Sequence, residues 1–204
     1  MSSLFENTCN TRLLFKNDTR FIRSDVPIKL TEDEIQWLIH HNVRTIFDLR
    51  SENERFKQPS LFENDTRFIY HHTPVTGGQH IPRTPEEVSL SYIHMVDENM
   101  WKIIYMMLHA STHVLYFCNA GKDRTGIVSA ILMLYFGMDH ESIVEDYLIS
   151  KDNLQKRLEM YVQNHPHIDM NVITPRREYI ERFLEDFEQQ YDLQMIKKWK
   201  IIFN

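Results

Sequence analysis

A cysteine and an arginine stand six positions apart in the stretch VLYFCNAGKDRTG, residues 114–126, with Lys122 and Asp123 between them. An apolar run leads into Cys118, and a helix-forming run from Arg124 to Phe136 leads away. A strand ending at Cys118 and a helix starting at Arg124 put the intervening loop beyond the carboxyl end of a buried strand, where open α/β sheets bind ligands. The first turn of a helix has N–H groups without partners and the positive end of the dipole, so a loop there wraps an anion. Asn119, Ala120, Gly121 and Lys122 supply backbone N–H groups to that loop, and Ala120 and Gly121 keep it small enough to curl.

A cysteine beside a helix N-terminus and two cations is favoured as the thiolate, which is a nucleophile. The planar guanidinium of Arg124 matches two oxygens of a phosphate. When a phosphoryl group passes to sulfur, charge sits on its equatorial oxygens, and loop N–H groups together with Arg124 stabilise that state. Thr125 can hydrogen-bond the thiolate and help it leave in a second step. Plainer readings stand beside these. Lys122 is either a second phosphate contact or a solvated surface charge. Asp123 either caps the helix or protonates a leaving alkoxide. Asp97, in MVDEN, is the rival acid, with an exposed helix face as its plain reading.

The elements that position these residues are marked by pattern. TIFDL (Thr45–Leu49) and HVLYF (His113–Phe117) read as buried strands, RFIYHH (Arg67–His72) as a third, and RLLF or RFIR near the start as a weaker fourth. Thr31 with Glu34 forms a capping-box pattern, and Thr84-Pro85 with Glu87 another; the helical pattern after the second continues, with a break, to Ala110. Asp139 and Ser150 read as caps of two successive helices, and Thr174-Pro175 opens a last one. Strands alternating with helices predict an α/β fold: a mostly parallel sheet of about four to five strands flanked by helices. A near-repeat, LFKNDTRF at Leu14–Phe21 and LFENDTRF at Leu61–Phe68, reads as two similar turns.

The chain of 204 residues suits a single domain, 1–204, and its net charge of −6 argues against nucleic-acid binding by bulk attraction. Two cysteines, Cys9 and Cys118, do not make a disulfide framework, so a reducing, cytoplasmic setting is expected. The N-terminus lacks a signal-peptide core and no run is long enough to span a membrane, so no stable membrane insertion is expected. The basic-aromatic IKKWK (Ile196–Lys200) is a helix end or a contact for an acidic lipid surface. The eleven histidines show no zinc spacing, and no metal site is expected. TGGQHIPRTP (Thr76–Pro85) is a punctuated loop that either covers the pocket, with Arg83 reaching a substrate phosphate, or lies plainly exposed.

The loop, Cys-x5-Arg-Thr-Gly, resembles the signature of the cysteine-dependent protein tyrosine phosphatase superfamily. The fuller CNAGKDRTG is similar to the bacterial tyrosine/dual-specificity branch with phosphoinositide activity, and RSD (Arg23–Asp25), LTEDEIQWL and VRTIFDLRSENE look like that branch's N-terminal half. The resemblance implies a tyrosine-phosphatase-like fold and a phosphocysteine intermediate at Cys118. It implies no metal or other cofactor, and Asp123 as general acid in place of one from a mobile loop. It also suggests that Asp48 and Arg50 line or brace the pocket, where the residues alone read as a strand-end salt bridge. The expected substrates are phosphotyrosine, with phosphoserine or phosphothreonine, in proteins, or phosphoinositides. Phe117 departs from the family, which has a histidine before the cysteine, and motivates the alternative of a catalytically weak phosphate-binding module. A sulfurtransferase or arsenate reductase is the remaining alternative, with Cys9 the one other thiol.

Overall fold

The computed structural model describes residues 3–192. Five strands form one sheet in the order β1-β2-β5-β3-β4. They are β1 (Arg12–Phe15), β2 (Asp18–Asp25), β3 (Val43–Asp48), β4 (Ile69–His72) and β5 (His113–Cys118). Only the β1–β2 pairing is antiparallel. The expected α/β class and strand number are thus found, and both weak N-terminal candidates are strands. β5 is central and covered on both faces, which is why its sequence is continuously apolar rather than alternating. At its carboxyl end Cys118 lies beside Asp25 of β2, and Phe117 beside Asp48 of β3.

Helices cover both faces. On one side α1 (Glu32–His40) lays Ile35 and Leu38 against Ile22, Ile46, Leu115 and Phe117. On the other, α4 (Glu98–Leu108), α5 (Arg124–Tyr135) and α8 (Arg177–Gln190) bring Ile103, Ile131 and Phe183 onto the side of Phe21, Phe47 and Tyr116. α5 is apolar nearly all round and correspondingly buried from Arg124 to Leu134. α3 (Pro85–Ile93), the long α6 (His140–Asn164) and the short α7 (Met170–Ile173) complete this layer, with α8 against α3 and α6. α2 (Glu52–Lys57) follows β3 directly.

Several local expectations change. The capping box at Thr31 and Glu34 is present, and the expected break before α4 occurs at Asp97, whose carboxylate caps that helix. Thr84 makes no cap; Glu87 instead accepts from the Arg83 N–H at 2.7 Å. Ser150 does not start a new helix. α6 runs through it without a break, because nothing there interrupts the chain and the buried Ser150 hydroxyl is engaged sideways by Asn10 and Arg12. The near-repeat folds two ways. The first copy is the β1–β2 hairpin turning at Asn17, with φ +59°, whereas the second begins as a 3-10 turn, Leu61–Asn64, that buries Phe62. One octapeptide pattern thus serves two contexts, set by which partner strand is available.

The hairpin is bolted to α6 by charge. Asp146 accepts from Arg12 Nε at 2.9 Å and from Arg23 Nη1, all three side chains being buried. Burial, with the neighbouring Arg23, pulls the Arg12 guanidinium down to about 10 against the opposing pull of Asp146. Removing the carboxylate leaves two buried cations uncompensated. Asp146→Ala is therefore expected to cost about 3–5 kcal/mol in urea unfolding, and Asp146→Asn, which keeps an acceptor, less. An unchanged midpoint in both would show that apolar packing alone holds the hairpin to α6.

Candidate active site

The loop from Cys118 to Arg124 takes its shape from what holds its carbonyls. The Asn119 carbonyl accepts from the Val26 N–H at 3.3 Å, and that of Ala120 from Asn10 Nδ2 at 3.1 Å. The Gly121 carbonyl accepts from both Asn10 Nδ2 and Arg23 Nη2, each at 2.9 Å. In a trans peptide the C=O and the following N–H point opposite ways, and no peptide bond among the described residues is cis. Tying these three carbonyls back turns the N–H groups of Ala120, Gly121 and Lys122 to the other, concave side. Gly121 sits at φ +66°, and a Cβ there would lie 2.5 Å from the Ser24 carbonyl oxygen, so the curl requires glycine. Cys118 is buried at the end of β5, and Arg124 and Thr125 open α5 from the far end of the loop. The Thr125 hydroxyl is buried and has no hydrogen-bond partner among the described residues.

Asp123 does not cap α5 with its side chain. Its carboxylate instead accepts from the Tyr92 hydroxyl at 2.6 Å and from Lys122 Nζ at 2.8 and 2.6 Å. The Tyr92 hydroxyl lies 2.7 Å from that of Tyr147, so α3 and α6 both contribute to holding Asp123. Burial, then the Asp123 charge, pushes the Tyr92 hydroxyl well above its ordinary range, so it stays protonated and available to donate. Lys122 is nearly buried, not a solvated surface charge. Asp97 is engaged in accepting from the Met100 N–H at 2.9 Å and does not line the pocket that Lys122 and Asp123 share with Gln79, His80, Tyr92 and Met95.

Asp48 and Arg50 are both fully buried and form the strand-end salt bridge that the residues alone suggested. Of the two expected roles, lining or bracing, their contacts are those of a brace. Arg50 forks onto Asp48 at 2.9 and 2.6 Å, holds the Gln58 carbonyl, and lies over the Phe117 ring, 5.3 Å from its centroid. The side chain of Phe117 thus faces the α1 layer, away from Cys118, as the alternation of a strand requires. The 76–85 loop does reach the site: a Cβ on Gly78 would lie 2.9 Å from Arg124 Cγ. Arg83 lines the adjoining groove with Leu90 and His94 rather than the pocket of Lys122. Cys9 and Cys118 are both free thiols. IKKWK lies outside the described residues.

Reading the residues in order missed Glu54. It opens α2 in a capping box with Ser51, a pattern visible as S-E-N-E. Its two oxygens also take Arg124 Nη1 and Nη2 at 2.6 and 2.7 Å and Asn119 Nδ2 at 2.6 Å. The fork leaves the other N–H groups of Arg124 for a phosphate. Burial alone would raise the Glu54 carboxyl, but the Arg124 hydrogen bonds and charge outweigh it and bring it down to about 2. Burial likewise opposes the charge on Arg124, and its bonds to Glu54 together with the nearby Cys118 push it up overall. A carboxyl lowered in the folded state stabilises fully above its ordinary value near 4.5 and loses that contribution as pH falls toward about 2. Glu54→Gln is therefore expected to lower the melting temperature most at neutral pH, with the gap to wild type closing through that acid window. A gap independent of pH would overturn the assignment.

The model of the tyrosine phosphatase family matches residues 16–195. A tyrosine-protein phosphatase of Nostoc commune is 28% identical over 145 residues, covering 66% of this chain and 49% of that protein. The triple specificity protein phosphatase PtpB of Mycobacterium tuberculosis is 45% identical over 51 residues, 25% of this chain and 18% of its own length. The chain thus spans about half, or less, of these curated relatives. Among solved structures, P. aeruginosa TpbA is 18% identical with a TM-score of 0.42, covering 74% of this chain and 81% of the other. The family match takes in β2 to β5, the loop and every helix described above, and the chain belongs to the tyrosine phosphatase family.

Proposed function

We propose that this chain, as a single phosphatase domain spanning 1–204, hydrolyses phosphomonoesters through a phosphocysteine on Cys118. The observation that carries the reading is the loop itself. Its carbonyls are tied outward, its N–H groups face one concavity, and a buried thiol and a guanidinium stand at its two ends. In the first step Cys118 Sγ attacks phosphorus, the P–O bond to the leaving group breaks, and Asp123 gives its proton to the departing oxygen. In the second, water attacks phosphorus, Asp123 takes a proton from it, and the S–P bond breaks to return the thiolate. Arg124 and the N–H groups of Ala120, Gly121 and Lys122 hold the equatorial oxygens in both transition states. The Thr125 hydroxyl, lacking any other partner, is free to donate to the departing sulfur.

Phosphotyrosine, with phosphoserine and phosphothreonine, is the proposed substrate class; the relatives are named as a tyrosine-protein phosphatase and a triple specificity protein phosphatase. Phosphoinositides are included because Lys122 adds a second cation beside Arg124. The two free thiols suit a reducing, cytoplasmic setting. No helix among the described residues is long and apolar enough to cross a membrane.

Cys118→Ser is expected to abolish turnover of p-nitrophenyl phosphate while keeping vanadate binding. Asp123→Asn should leave that activated ester nearly untouched and slow phenyl phosphate by about tenfold or more, because only a poor leaving group needs the proton. Equal losses on both esters would reject the acid assignment. Wild-type turnover no greater than that of Cys118→Ser, with phosphorylated ligands still bound, would leave the phosphate-binding module as the function.

A further inference from the structure

We propose that Lys122 is a lock on the Asp123 proton donor, opened by a substrate that brings a second anionic group to the loop. The proposal rests on Asp123 being the general acid. Lys122 Nζ donates to both carboxylate oxygens, at 2.8 and 2.6 Å, and Tyr92 donates to one of them at 2.6 Å. An ammonium has only donors to offer, so a carboxyl engaged by it on both oxygens has no proton to give. With these three bonds in place Asp123 is a closed acid. Among the described residues Lys122 has no other carboxylate partner, and its wall of the pocket is shared with Gln79, His80 and Tyr92. Arg124, the other cation at the loop, pairs with Glu54 and not with Asp123, so Lys122 is the cation whose movement would release Asp123.

A second phosphate carries more charge than a carboxylate and competes for the ammonium. Once Nζ swings to it, Asp123 takes a proton from solvent. Tyr92, itself anchored to Tyr147, keeps donating to Oδ1 and leaves Oδ2 to carry that proton. As the Sγ–P bond forms and the P–O bond breaks, the proton passes from Oδ2 to the leaving oxygen. A substrate with one phosphate leaves the ammonium where it is, and the acid stays closed for most encounters. Discrimination between the two classes then appears in kcat and not only in KM.

The test compares phenyl phosphate with catechol bisphosphate, whose leaving group is similar but carries a neighbouring phosphate. Wild type should turn over the bisphosphate with a kcat at least about tenfold higher, within the range general acid catalysis supplies. Lys122→Met should raise kcat on phenyl phosphate and lower it on the bisphosphate, so that the two converge. Lys122→Arg, which keeps the cation, should retain the wild-type order, and vanadate affinity measures whether the loop is intact in each variant. A Lys122→Met enzyme that binds vanadate normally but loses rate on both esters in proportion would overturn the lock, as would a wild-type preference confined to KM. Asp123→Asn separates the two levels. If it slows the bisphosphate, on which the lock is open, the acid stands and the Lys122 result judges the lock; if it does not, acid and lock fall together.

Discussion

The site depends on three carbonyls being held from behind. Asn119, Ala120 and Gly121 each expose a backbone oxygen that something outside the loop must satisfy, and Val26, Asn10 and Arg23 do so. Once those oxygens are taken, the opposite side of each peptide can present only N–H. The N–H concavity is thus a by-product of satisfying acceptors, and it is set by the protein's own hydrogen bonds. Such preorganisation matters for catalysis, since dipoles already aimed need no reorganisation during the reaction.

From that constraint the surroundings follow. Arg23 can hold Gly121 only if its own charge is neutralised, and Asp146 does this from α6. Asn10 can reach two carbonyls only if the chain before β1 is pinned, and the Asp25 carboxylate pins it through the Cys9 and Asn10 N–H groups at 3.1 and 2.9 Å. On the other flank Glu54 fixes Arg124 and Asn119 together, with Ser51 fixing Glu54. Asp48 and Arg50 form a further buried pair under Phe117, within reach of the Tyr70 hydroxyl at 2.7 Å. The charges around the loop are arranged as pairs that each free one group to act.

The sequence disclosed the reacting groups more readily than their supports. Cys118, Arg124 and the strand-loop-helix around them are adjacent in the chain, and the apolar run of β5 and the helical run of α5 bracket them. Composition and alternation likewise pointed to a mostly parallel sheet. Asn10, Arg23, Tyr92 and Asp146 were not legible, because their roles depend on contacts between residues 31 to 123 positions apart. Glu54 lies between these cases: its capping box is local and readable, but its grip on Arg124 spans 70 residues. Asp48 and Arg50 were legible as a strand-end pair but not as to which way they face, since such a pair looks the same whether it faces a pocket or the interior. Ser150 looked like a helix start for a similar reason, its hydroxyl being claimed by distant partners instead.

α6 carries Asp146, Tyr147 and Ser150 within five consecutive positions. Through them it reaches Arg23 behind the loop, Tyr92 beside the acid, and Asn10 under the carbonyls. A growing chain therefore has Cys118, Arg124 and its whole sheet synthesised before α6. Val26 and Asn10 can already hold the loop carbonyls at that stage, and α6 adds the carboxylate that lets the buried Arg23 join them. The support of the loop is thus completed by a segment that follows it in the chain.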